Sequence, residues 1–265
     1  CSSFGGFDVA MKSYSHQLRH NSIKIIITGI LSLLCAMATA SENLPKGKFK
    51  TGLFQSLGYG LSENIEISTH PVLMFFIPNL AVQKRHPNWA GLALASRHSL
   101  VVPTPLLKMV TKKGVGGFIS PEFDVPLMIA LKNEIQLKRT LNDSWILSGT
   151  AGLTLAYCSK KLDKRTTIDL PVIFPRLGVF YNGYGINFRL DFSGTLLPRL
   201  DLLTDLNVLL LPGMEEGFAF EHKNLLTWVL SNRTDIQIGY KLICGEYPFG
   251  VQWHLLPLFD VLWHW

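Results

Sequence analysis

Beyond residue 40 the chain has no long apolar run. Every hydrophobic stretch there falls short of the roughly 18 uncharged residues that a spanning helix needs. The most apolar window, Leu196 to Pro212, is broken by Arg199, Asp201 and Asp205, which argues against a helical membrane protein. Cysteine is also scarce: there are four in 265 residues, and only Cys158 and Cys244 lie beyond residue 40. That region has no closely spaced cysteine pair, no His-x-x-x-His and no Asp-rich loop, so metal chemistry has no recognisable ligand set. Nor are basic residues massed anywhere. With residues 1–40 set aside, 22 basic and 18 acidic side chains remain, a scattered surplus of +4. A nucleic-acid binder needs a dense basic face, and none is visible.

The first methionine is Met11, and residues 1–10 read as upstream sequence with no bearing on the fold. From Met11 the pattern is that of a secretory signal. Lys12, Arg19 and Lys24 precede an apolar stretch from Ile25 to Ala36, and Ala38-Thr39-Ala40 offers small residues for cleavage before Ser41. Residues 11–40 are therefore expected to be a cleaved signal peptide and 41–265 a single domain. An uncleaved helix is the competing reading, and the apolar stretch is short for it. An exported chain meets oxidising conditions, under which Cys158 and Cys244 form a candidate disulfide. The alternative is two separate thiols, and geometry decides between them.

Short runs of period two fill the rest of the chain. From Gly185 to Ser193, Ile186, Phe188, Leu190 and Phe192 alternate with Asn187, Arg189, Asp191 and Ser193. Asp235 to Leu242 repeats the design, with Gln237 and Lys241 on the polar parity, and Trp145 to Tyr157 sets large apolar residues against Ser148, Thr150, Gly152 and Thr154. A period of two belongs to strands. Weaker runs cover Phe49 to Leu61, Asn64 to His70, Gly91 to Val102, Ile119 to Ile129, Glu134 to Thr140 and Phe218 to Leu230. The last seventeen residues, Phe249 to Trp265, carry Val251, Trp253, Leu255, Phe259, Val261, Trp263 and Trp265 on one parity and Gln252, His254, Asp260 and His264 on the other. A face with three tryptophans suits lipid better than the inside of a soluble sandwich. Seventeen residues exceed one membrane crossing, so Pro257 is expected to mark a bend or bulge.

Short polar turns such as Ser62-Glu63-Asn64, Asn142-Asp143 and Ser231-Asn232-Arg233 separate the runs, as in antiparallel hairpins. Longer connections, Val102 to Gly117 and Ser159 to Thr167, are where binding or gating is expected. These features predict an all-β fold, an antiparallel up-and-down transmembrane β-barrel of about 12 strands, within a range of roughly 10 to 14. Tallied literally the runs number thirteen, and a barrel with both termini on one side needs an even number. Closure follows from the lipid environment, since an open sheet edge leaves backbone groups unpaired there.

With the signal segment, the alternating strands and the aromatic end in place, the chain resembles Gram-negative outer-membrane β-barrel proteins. The resemblance is one of style over Phe49 to Trp265 and of motif only in the terminal strand. Those proteins typically end in an alternating apolar strand closed by an aromatic, often phenylalanine, which the barrel assembly machinery recognises. Val261, Trp263 and Trp265 stand at the corresponding positions, with tryptophan departing from the usual phenylalanine. The resemblance implies an outer-membrane location and two partners, the lipid and that machinery.

Catalytic patterns are lacking. No serine sits in a Gly-flanked elbow, and His254 and Asp260 share a face but lie about 20 Å apart along one strand. The expectation is a non-enzymatic barrel without a cofactor, either structural or a narrow passive pore. Arg189, Asp191, Gln237, Lys241, Gln252, His254 and Asp260 are its candidate lumen-lining residues. The competing readings are a lipid-modifying barrel enzyme and an exported soluble β-barrel or sandwich holding an apolar ligand.

Overall fold

A computed structural model describes residues 44–112, 124–162, 173–248 and 250–265. The expected upstream and signal residues, 1–40, lie outside the described residues. The strands are β1 (Phe49–Gly52), β2 (Leu57–Ser62), β3 (Ile65–Thr69), β4 (Asn79–Trp89), β5 (Leu92–Val101), β6 (Met128–Asn142), β7 (Trp145–Cys158), β8 (Tyr184–Leu197), β9 (Leu200–Leu210), β10 (Phe218–Ser231), β11 (Thr234–Tyr247) and β12 (Gly250–His264). Each pairs antiparallel with its sequence neighbours, and β1 pairs with β12 to close a barrel of twelve. Two-residue turns at one end join β2 to β3, β4 to β5, β6 to β7, β8 to β9 and β10 to β11. Both ends of the barrel chain are there too, since Phe49 and Trp265 exchange backbone hydrogen bonds of 2.8 and 3.2 Å.

Among the described residues, four short helices lie in the connections at the opposite end: α1 (Pro71–Met74), α2 (Thr104–Val110), α3 (Phe174–Leu177) and α4 (Val179–Asn182). Among the described residues no helix is long and apolar enough to cross a membrane. Helix α2 starts at consecutive turn-favouring residues, with Pro105 in its first turn where a missing N–H costs nothing. The Thr104 hydroxyl fastens this helix to the barrel by accepting from the Met128 amide at 2.7 Å and donating to the Pro126 carbonyl at 3.1 Å. The main buried apolar cluster sits at this helical end. Leu73, Leu106, Leu107, Ile173, Leu177 and Phe180 from the connections pack on Met128, Leu211 and Ile243 of the wall.

The outer surface is apolar and banded. On β12 the outward residues Val251, Trp253, Leu255, Phe259 and Trp263 are all exposed. Trp253 and Trp263 lie ten residues apart, about 33 Å along the strand. At the tilt usual for membrane barrels that becomes roughly the 25 Å height of a lipid-facing band. Trp89 and Trp228 stand near the turn end, and Tyr157 and Tyr184 near the helical end, all exposed. This is the girdle arrangement that amphipathic aromatics adopt at two water boundaries.

Several sequence expectations are corrected. Of the run Ile119 to Ile129, residues 119–123 lie outside the described residues, 124–127 carry no regular structure and Met128 opens β6. Phe49 to Leu61 is two strands, parted by a bend at Leu53 to Ser56. The runs picked out by alternation also miss β4, and β9 falls inside the most apolar window. Pro257 makes no bulge, because β12 keeps one register with β11 from Thr234↔Trp263 to Tyr247↔Gly250. The reason lies in the strand's other edge. Val261 accepts from Leu53 and Trp265 bonds to Phe49, so odd-numbered residues of β12 turn their amides away from β11. The missing N–H of Pro257 therefore falls on the edge where, among the described residues, no strand pairs. Cys158 and Cys244 are free thiols. Their strands, β7 and β11, are four steps apart around the wall, about 19 Å, against the roughly 7 Å limit for a disulfide.

Candidate functional site

The odd parities of β8, β10 and β11, alternation that the side-chain period of two dictates, point inward. Of the residues expected to line the lumen, Asp191, Lys241, Gln237 and Asp260 are buried; Arg189, Gln252 and His254 are partly covered. Here the parity of β8 is odd for Asn187, Arg189 and Asp191, the same as for Glu221 and Lys223 on β10 and Lys241 on β11. Phe188, the residue next to Arg189, is exposed on the outside.

The register sets these side chains in rows. One row runs Asp191, Asp205, Lys223, Lys241 across β8 to β11. Like charges opposite one another repel, and each is answered by a neighbour. Lys223 meets Asp205 at 2.8 Å, Lys241 meets Glu221 at 3.0 Å, and the Arg189 Nε donates to Asp191 at 3.2 Å. Glu221 also receives both arms of Arg176, at 2.7 and 3.1 Å. Arg176 belongs to α3, so this bidentate pair ties the helical cap to the middle of the wall. On β6, Lys132 pairs with Glu134 at 2.7 Å. The sequence reading did not single out Arg97, Lys132, Arg176, Asp205, Glu221 or Lys223 as site residues. The alternation Ala219, Glu221, Lys223, Leu225 against Phe218, Phe220, His222, Asn224 held that signal for β10.

Two further segments fill the interior. The bend between β1 and β2 turns inward. The Phe54 amide donates to Asp260 at 3.1 Å, and Gln55 donates to Gln237 at 2.6 Å, which in turn donates to Thr227 at 2.9 Å. The Phe54 carbonyl meets His70 Nε2 at 3.0 Å, while His70 Nδ1 caps α1 by accepting from the Leu73 amide at 3.3 Å. Those two bonds assign a neutral imidazole with its proton on Nε2. At the turn end, Leu44 donates to Glu66 at 3.0 Å and the Pro45 carbonyl lies where a side chain on Gly60 would sit. Only glycine at 60 lets this segment cross the lumen face of β2.

Between the cap and the charged rows lies a cavity of about 300 Å³. Ile77, Leu106, Leu107, Ile173, Leu177 and Phe180 form its apolar end, and Arg97, Lys132, Glu134, Arg189, Glu221 and Lys241 its charged end. Of the other expected residues, His254 bonds Gln252 at 3.1 Å and His264 meets Asp235 at 2.8 Å. Val261, Trp263 and Trp265 form the seam with β1, where the Trp265 ring stacks on Phe49 at 6.3 Å. Among the described residues no group of three His, Cys, Asp or Glu is placed to hold a metal.

A closed antiparallel barrel with an apolar, aromatic-banded exterior and a polar interior is an outer-membrane-type β-barrel. Comparison with solved structures gives the same architecture. An outer membrane channel from Pseudomonas putida F1 superposes with a TM-score of 0.51 at 8% identity, over 86% of this chain and 99% of that one. OmpT, an outer membrane protein of Vibrio cholerae, reaches 0.43 at 7% identity over 88% and 73% of the two chains. The DcaP channel of Acinetobacter baumannii reaches 0.37 at 9% identity over 79% and 62%. At these identities the likeness is one of fold, and the first comparison carries it. No protein-family model and no curated protein sequence matches the chain.

Proposed function

We propose that this chain is a non-enzymatic outer-membrane barrel that provides a narrow passive path for small solutes and rests closed. The observation that carries this reading is the interior: a mixed-charge lumen with a cavity, bounded by a helical cap on one side and the Leu44-Pro45 segment on the other. A purely structural plug has no need of a cavity with charged side chains at one end. Twelve strands enclose a lumen between the filled eight-strand barrel and the open 16-strand channel, so modest displacement of one segment opens a path. Arg176 on Glu221 is the ion pair among the contacts that hold the cap to the wall.

Reconstitution in a planar bilayer tests this. Small, intermittent conductance is expected, rising in frequency when Arg176→Gln removes the tie and changing ion preference when Arg189 or Asp191 is neutralised. Silence at every voltage, in the native chain and in Arg176→Gln alike, rejects the path and leaves a structural barrel. Phospholipid or lipopolysaccharide turnover by the purified protein would instead establish the enzyme reading.

A further inference from the structure

The cavity is two-ended, and its charged end is out of balance. Six cationic side chains border it, Arg97, Lys132, Arg176, Arg189, Lys223 and Lys241, against three carboxylates, Glu134, Asp205 and Glu221. Asp191, behind Arg189, and Glu66, which attracts Arg97 through space, bring the nearby acids to five, still one short of the cations. Glu221 serves two cations at once. Arg97 is the one left over: among the described residues no carboxylate lies within salt-bridge reach of it, and its closest polar partner is the Ser68 hydroxyl at 3.5 Å. Glu134 is engaged by Lys132 and Glu66 by the Leu44 amide.

Polar groups farther along the same wall are also unsatisfied. Thr150 and Asn187 line the cavity at 6% and 4% exposure, and the Thr150 hydroxyl, which can donate, and the Asn187 side-chain oxygen, which only accepts, have no hydrogen-bond partner. A buried polar group left unpaired costs about 1–3 kcal/mol. The register sets them on one stretch of wall: Arg97 pairs with Glu134, Glu134 with Gly152 and Gly152 with Asn187, three strand steps or about 14 Å, while Thr150 pairs with Gln136 on one side and Arg189 on the other. Gly152 leaves the room that the Asn187 side-chain oxygen occupies. Toward the helical end the same wall turns apolar. Val101 stands four residues from Arg97 on β5, about 13 Å away, beneath Leu106 and Leu107.

We propose that this cavity binds an amphipathic carboxylate, with its head between Arg97 and Thr150 and its apolar body under the α2–α4 cap; the proposal rests on the reading of the barrel as a solute path. The guanidinium and the hydroxyl donate to the carboxylate, and the methylene chain replaces empty space beside Ile77, Leu107 and Leu177. A strongly hydrated inorganic anion gains nothing from the apolar end. A neutral alkyl compound leaves Arg97 unanswered.

Isothermal titration of the full chain in lipid nanodiscs with sodium octanoate, blanked against empty nanodiscs, tests the site. Saturable one-to-one binding is expected, weaker by about tenfold or more for acetate and for octanamide. Arg97→Gln should weaken octanoate by a similar factor and leave octanamide unchanged, while Arg97→Lys retains most of the affinity. Should Arg97→Gln fail to fold, Thr150→Val supplies the same comparison with a smaller loss. Octanoate heats equal to the blank overturn the proposal, as does binding that ignores both the carboxylate and Arg97. Because the readout is binding, a silent bilayer recording leaves it standing, and absent binding leaves a conducting path standing.

Discussion

At the scale of single residues, burial decides what an ion pair contributes. Glu221 is 2% exposed and answers Arg176 and Lys241 together. Removing it leaves Lys241, 4% exposed, without its carboxylate away from bulk water and takes one partner from Arg176, and the loss expected for Glu221→Ala is about 3–5 kcal/mol. Denaturant unfolding in detergent, followed by tryptophan fluorescence, measures it. Asp124 and Lys160 meet at an equally short 2.8 Å but stand in solvent outside the strands. The hydrogen bond and charge of Lys160 hold the Asp124 carboxyl below its usual range, and the same contact raises Lys160. A depressed carboxyl contributes only above its unfolded titration range and loses that contribution as pH falls through its lowered folded one. Solvent screening makes the contribution small, so Asp124→Asn should leave unfolding at neutral pH unchanged. A clear destabilisation would show that the pair orders more than its own two side chains. Arg199 makes a different point, holding φ at 66° in the turn between β8 and β9. Arg199→Gly is expected to raise stability by up to about 1 kcal/mol in the same unfolding assay, because glycine adopts that conformation without a steric penalty.

Among the elements, the seam between β1 and β12 is the least supported part of the wall. β1 has four residues and β12 has fifteen, and their register runs only from Lys50↔His264 to Gly52↔Leu262. Asp260 ends this ladder, accepting from Val261 at 2.8 Å and from Phe54 at 3.1 Å. That carboxylate substitutes for the strand partner that β12 lacks above this point. Asp260→Ala is therefore expected to loosen the seam and lower the temperature at which the barrel unfolds in gel-shift heating. A cysteine pair at Thr51 and Trp263, which face one another in the register, should cross-link and restore that temperature. Failure of the cross-link to restore it would place the weakness elsewhere in the wall.

For the whole molecule, the inside and outside are set by parity. Phe188 and Arg189 are neighbours in sequence and lie on opposite faces of the wall. A cysteine at 188 should resist a water-soluble maleimide in intact membranes and react once the bilayer is dissolved. Ready labelling at 188 with none at 189 would reverse the two faces and describe a soluble barrel.

Parity was legible in the sequence because it is local: a strand turns alternate residues to opposite faces whatever it packs against. From it came the strand-rich fold, the apolar exterior and the polar parity that holds Arg189, Asp191, Gln237, Lys241 and Asp260, while closure followed from the need to pair every backbone group in lipid. The partners of those residues were not legible. Glu221 finds Arg176 across 45 positions and Phe54 finds Asp260 across 206, separations that only register and closure bring together. Arg97 and Thr150 carry no sequence signal of being unpaired, since that depends on every other charge having been used. The sequence by itself determined which side chains face water and which face lipid. Tertiary structure decided which charges cancel, which remain, and where space is left between them, because those outcomes depend on twelve strands meeting in one register.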